Sequence, residues 1–140
     1  MPESPELSQE EKNGRLLAAL CYIPFFLINI IAMLYVLVGH KGGKFARFHA
    51  IQSIFLLVAY IVVEVLLSIP VLVSWLNTVK SFSTSPANYL AAWSATALAF
   101  IPGVIVFIVF VLSCFVFAFW AYSGKRFRIP ILGAQAEKMA

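Results

Sequence analysis

The segment Lys44-Phe-Ala-Arg-Phe-His-Ala-Ile-Gln52 sets two cations, two aromatic rings, an imidazole and a carboxamide close together. Arg47, His49, Gln52 and the adjacent Ser53 carry the donors and acceptors to hold a C-terminal tail or a partner segment. The same residues also suit an interfacial anchor. In that reading Lys44 and Arg47 bind lipid phosphates, Phe45 and Phe48 lie among headgroups, and His49 with Gln52 bonds neighbouring backbone. Further along, Glu64 is the ionisable residue deep inside an apolar run, where a carboxylate is costly unless it is paired, hydrated or neutralised. At 100° per residue, His49, Ser53, Tyr60, Glu64 and Ser68 share a helix wedge about 100° wide. That stripe is either a hydrogen-bonded bundle interior, with Glu64 protonated and bonded to a neighbour such as Asn29, or an ion path or polar groove for a substrate helix.

The repertoire for covalent chemistry is thin. The chain has no G-x-S-x-G, no H-E-x-x-H, no phosphate loop and no paired carboxylates. His40 and His49 flank a glycine turn without Cys or Asp beside them, and Cys21 and Cys114 lie inside apolar runs, where a thiol behaves as a small hydrophobe. We therefore expect no catalytic residue, no metal site and no cofactor.

The elements that position these residues belong to a bilayer. Of 140 residues, 62% are hydrophobic and 11% charged, too few charges to clothe a soluble domain. Leu16–Gly39, Phe48–Val79 and Ser81–Gly124 are nearly free of charge, and about 20 helical residues cross a hydrocarbon core about 30 Å thick. The pattern predicts an all-α integral membrane bundle with three main spans, four being the alternative. Residues 1–15 form an acidic N-terminal tail and helix start, 16–123 the transmembrane helical domain, and 124–140 a basic C-terminal tail. Ser8-Gln-Glu-Glu11 is a capping-box pattern that starts a helix running into the first span, near Leu16–Val38, with Pro24 as a kink. Residues 1–7 read as disordered. A second helix runs from Phe45–His49 to about Val79, bent by Pro70, and Lys80–Asn88 is a polar loop. Tyr89–Tyr122 is too long for one untilted crossing, and Pro102-Gly103 offers a break between an interfacial Tyr89–Ile101 and a span at Pro102–Tyr122.

The net charge of +4 falls at span ends, which points to lipid headgroups and away from nucleic acid. Lys41, Lys44, Lys125, Arg126 and Arg128 are the headgroup candidates. The three-span layout puts 40–50 and 124–140 in the cytoplasm by the positive-inside rule, with the acidic N-tail and Lys80 opposite. Ala91, Ala95, Ala99 and Gly103 recur every four residues, a small-residue face for packing against the second helix or another copy. The segment Arg126–Gly133 is expected to fold back, placing Ile129, Ile131 and Leu132 near Phe45 and Phe48.

Three segments carry a family resemblance: Leu17-Ala-Ala-Leu-Cys-Tyr-Ile-Pro24, Phe45-Ala-Arg-Phe-His-Ala-Ile-Gln-Ser53 and Ala121-Tyr-Ser-Gly-Lys-Arg-Phe-Arg-Ile-Pro-Ile-Leu-Gly-Ala-Gln-Ala-Glu-Lys138. Together they resemble a family of small prokaryotic multi-span membrane proteins related to the Tic-type import component of the chloroplast inner envelope. MamF-type magnetosome membrane proteins are similar. The resemblance implies a helical membrane protein without known catalytic residues; most members have no assigned activity, and the chloroplast relatives take part in protein import with four spans. The magnetosome role is not carried over, because this chain has no acidic cluster suited to iron mineral. Residues and resemblance together lead us to expect a non-enzymatic scaffold or helper in protein translocation, insertion or complex assembly. The rival is a small transporter or channel using the Glu64 stripe. Expected partners are membrane lipids and other membrane proteins or a homo-oligomer, at a multi-pass position in the cell membrane, most simply a prokaryotic inner membrane.

Overall fold

A computed structural model describes residues 8–39, 41–82, 85–129 and 132–139. Helix makes up 86% of them and no strand occurs among them, so the chain is all-α. The helices are α1 (Gln9–Leu20), α2 (Phe26–Val38), α3 (Gly43–Ser81), α4 (Pro86–Tyr122) and α5 (Leu132–Met139). The N-terminal tail 1–7, His40, Ser83, Thr84 and Ile131 of the expectations above lie outside the described residues.

Local signals explain most boundaries. Ser8 Oγ accepts from the Glu11 backbone while the Glu11 carboxylate accepts from the Ser8 backbone, completing the capping box at α1. The expected continuous helix through Leu16–Val38 does not form. Its run breaks at Cys21–Phe25, because Pro24 cannot donate and disfavours helix at the residue before it. The freed amides of Tyr22 and Ile23 close back on Ala19 and Leu20. Two short helices replace one span. Conversely, Pro70 and Pro102 sit inside unbroken helices. The break proposed at Pro102-Gly103 is absent: α4 keeps all its 37 residues, and α3 keeps 39. At 1.5 Å per residue these helices measure roughly 55–60 Å.

Contacts divide the chain into two compact units, Met1–Leu57 with Val111–Ala140, and Val58–Phe110. In the first, Ala18, Cys21, Tyr22, Met33, Val36, Ala46, Ala50 and Ala121 form a core, and Phe48, Ile51 and Ala136 form a second cluster. The helices α1 and α2 make a hairpin whose ends meet the start of α3. A Cβ on Gly14 would stand 3.0 Å from the Gly42 carbonyl oxygen, so this crossing is tight for any side chain. Gly42 itself has φ +79°, a left-handed conformation that bulkier residues adopt only at a cost.

The second unit is an antiparallel helix pair. Its covered positions on α3 are Tyr60, Glu64, Leu67, Val71, Ser74, Thr78 and Ser81; on α4 they are Tyr89, Ala92, Thr96, Ala99, Gly103, Val106 and Phe110. Both series alternate steps of three and four, the heptad seam of a left-handed coiled pair. Tyr60 stacks on Phe110 with centroids 4.1 Å apart, and the Thr78 and Thr96 hydroxyls meet at 2.8 Å.

Two helices, α3 and α4, are long and apolar enough to cross a membrane. They are not buried core helices: their most apolar windows of 18 residues are 0% and 11% buried.

Candidate functional site

The first unit brings together the polar segment singled out at 44–53. The N-terminal turns of α3 put His49 and Gln52 on its inner side, 2% and 1% exposed. His49 lies in an aromatic cage, with edge contacts to Tyr22 at 5.8 Å, Phe45 at 4.6 Å and Phe48 at 5.1 Å between centroids. Its Nδ1 is 3.3 Å from the Tyr22 hydroxyl. The tail then covers the cage. Gln52 Nε2 donates to the Phe127 carbonyl at 3.1 Å, an acceptor that fixes which way the amide points. The Phe127 ring lies on Phe117 at 5.6 Å and on Trp120 at 4.5 Å. Arg126 reaches over the Phe45 ring at 5.9 Å.

The tail therefore folds back, with Phe127 as its principal anchor. Ile129 is half-buried, Ile131 lies outside the described residues, and it is Ala136 of α5 that packs on Phe48 and Ile51. A 2.6 Å salt bridge from Arg128 to Glu137 ties the irregular 125–129 segment to α5, though both side chains are at least half exposed. Exposed pairs of this kind contribute about 0–1 kcal/mol.

Other candidates are scattered. Ser53 is buried and donates to the Ala50 carbonyl, its own preceding turn. Arg47 is half-buried, with a buried Nε that finds no acceptor. Lys41, Lys44, Lys125 and Arg126 are exposed, as a headgroup contact requires, whereas Arg128 is engaged by Glu137. Lys44 and Arg126 line a cavity of about 430 Å³ together with Arg15, Glu10 and Glu11. That placement overturns one part of the topology expected above: the acidic start of α1 shares a face with the basic turn at 41–44, since the broken first helix doubles back.

In the second unit, Tyr60 and Glu64 line one cleft, while Ser68 donates to the Val65 carbonyl. Asn29 does not serve as the partner of Glu64; its amide donates to the Cys21 carbonyl and closes the turn between α1 and α2. The small-residue stripe splits. Ala99 and Gly103 are half-buried against α3, but Ala91 and Ala95 are exposed. Strict four-residue spacing gains about 40° per step on a helix, so four such positions cannot all stay on one seam.

Tyr22, Phe117 and Phe127 are the site residues that sequence reasoning did not single out. Two of them sit inside the segments quoted for the resemblance, but aromatic residues in an apolar chain carry no local mark of where they pack. Chemically the cage offers recognition: one imidazole and one amide enclosed by rings, with the Tyr22 phenol, and among the described residues no carboxylate, hydrogen-bonded to His49. Among the described residues no three His, Cys, Asp or Glu side chains group as metal ligands. No protein-family model, curated protein or solved structure matches the chain.

Proposed function

We propose that this chain is a multi-pass protein of the cell membrane that works without catalysis, as a scaffold or helper in protein translocation, insertion or complex assembly. The observation that carries the reading is the uncovered apolar surface of α3 and α4. Val62, Leu66, Ile69, Leu98, Ile105 and Phe115 all expose 40% or more of their surface, more contiguous hydrocarbon than water tolerates. Lipid tails cover it, and so do partner helices, which compete with lipid through packing and polar contacts.

In this reading α3 and α4 make the two full crossings. At 12 and 13 residues, α1 and α2 reach roughly 20 Å and fall short of a core about 30 Å thick, so their hairpin re-enters the bilayer without crossing it. The turn at 41–44, the start of α1 and the tail at 124–129 then share the cytoplasmic face, where Lys12, Arg15, Lys41, Lys44, Lys125 and Arg126 obey the positive-inside rule. The resemblance to Tic-type proteins supports the translocation role. A small transporter or channel is the second reading, favoured by one observation: Glu64 Oε1 is buried without a hydrogen-bond partner.

Single-cysteine labelling in intact cells, with Cys21 and Cys114 replaced, tests the topology. Asn13→Cys and Lys125→Cys should stay protected while Asn88→Cys reacts; Asn13→Cys reacting from outside overturns the re-entrant hairpin. Retention of the protein in membranes at alkaline pH tests insertion itself. Photocrosslinkers at Ile69 and Leu98 should capture other membrane proteins, and liposomes carrying the protein should show no proton or ion flux. Flux that disappears in Glu64→Gln would establish the transporter reading instead.

A further inference from the structure

Between the two helices of the second unit lies a cleft of about 270 Å³, lined by Tyr60, Glu64, Ser68, Phe100, Gly103 and Phe107 among others, and nearly all of its wall is hydrocarbon. Glu64 stands in it with Oε1 enclosed and without a hydrogen-bond partner. Gly103 makes the room, since a Cβ there would come within 3.3 Å of Oε2. Among the described residues no Lys, Arg or His lines the cleft. A carboxylate so placed calls for a positive charge that tolerates hydrocarbon.

We propose that this cleft binds a hydrophobic organic cation, a quaternary ammonium carrying an aromatic or alkyl body, with the Glu64 carboxylate as its counter-ion. Three properties select that class. A dehydrated inorganic cation needs six or so oxygen ligands, and the cleft offers one carboxylate and the hydroxyls of Tyr60 and Ser68, the latter already donating to the Val65 carbonyl. An organic cation spreads its charge over carbon and replaces those ligands with ring faces. Phe100 and Phe107, each 53% exposed, have faces that packing has not used. The volume also fits: about 270 Å³ equals about nine waters at about 30 Å³ each, room for a body of about ten heavy atoms. Where Glu64 is protonated beforehand, the arriving cation displaces that proton to water, and charge is conserved.

The proposal rests on α3 and α4 lying in a bilayer, which alkaline extraction tests separately. The full-length protein in phosphatidylcholine nanodiscs is treated with dicyclohexylcarbodiimide, and modification of Glu64 is followed by mass spectrometry. Benzyltrimethylammonium is the probe; neopentylbenzene, its uncharged carbon isostere, is the control. The cation at saturation should slow modification about tenfold, the isostere should leave it unchanged, and Gly103→Leu should abolish protection by filling the cleft. Equal protection by the isostere, no protection by the cation, or a Glu64 that does not react even without probe would each overturn the proposal.

Discussion

Phe127→Ala should release the C-terminal tail from the aromatic cage. The ring is 36% exposed, so about two thirds of it is covered, chiefly by Phe117 and Trp120. Truncating a fully buried Phe to Ala costs about 3–5 kcal/mol. Scaled to the covered share, the loss here is about 2–3 kcal/mol, including the two ring contacts. For a chain of this size that lowers Tm by about 5–10 °C in a mild detergent. The local effect should exceed the global one. Amides at 125–129 and in α5 should exchange with solvent much faster, because Gln52 alone, with one neutral hydrogen bond worth about 1 kcal/mol, cannot hold the segment. Phe119→Ala, at a position 68% exposed, is the matched control and should leave both readouts near wild type. If Phe127→Ala keeps the wild-type Tm and the wild-type exchange pattern, the tail is not anchored by this ring.

Gln52→Leu should cost about 1 kcal/mol, measured by thermal unfolding, because it removes the donor of a part-buried hydrogen bond to the Phe127 carbonyl. Gly42→Ala should be destabilising by about 2 kcal/mol or more, since its Cβ would meet that of Ala46 at 2.6 Å at a positive φ. Gly43→Ala, with φ +66° and nothing within 4 Å, should cost only the conformational share of about 1 kcal/mol, and the gap between the two melts checks the crossing of α1 over that turn. Thr78→Val should lower stability by about 0.6 kcal/mol and no more, because Thr96 retains its bond to the Ala92 carbonyl.

Fold class was legible because hydrophobic run length is a property of neighbours along the chain, and so was the capping box at Ser8–Glu11. Which prolines break a helix was not. Pro24 follows eight apolar residues after Arg15, and the turn it makes is closed by Asn29 reaching back to Cys21. Pro102 lies amid apolar residues on both sides and the helix persists through it; in the proposed bilayer setting, lipid would offer no replacement for a lost helix bond. The polar segment 44–53 was legible as a cluster, but its ring of Tyr22, Phe117 and Phe127 draws on three distant parts of the chain. The seam of the second unit was misread for a different reason. Its covered positions are largely the small and polar ones, so the hydrophobic periodicity that marks a soluble coiled pair is inverted here. Serine and threonine at 74, 78 and 81 trace it in steps of four and three, and Thr96 and Gly103, one heptad apart, trace the other side. Reading small and polar residues together recovers both sides of the seam, with Thr78 opposite Thr96 and Glu64 opposite Gly103, so the register of the pair is what half-buries the carboxylate.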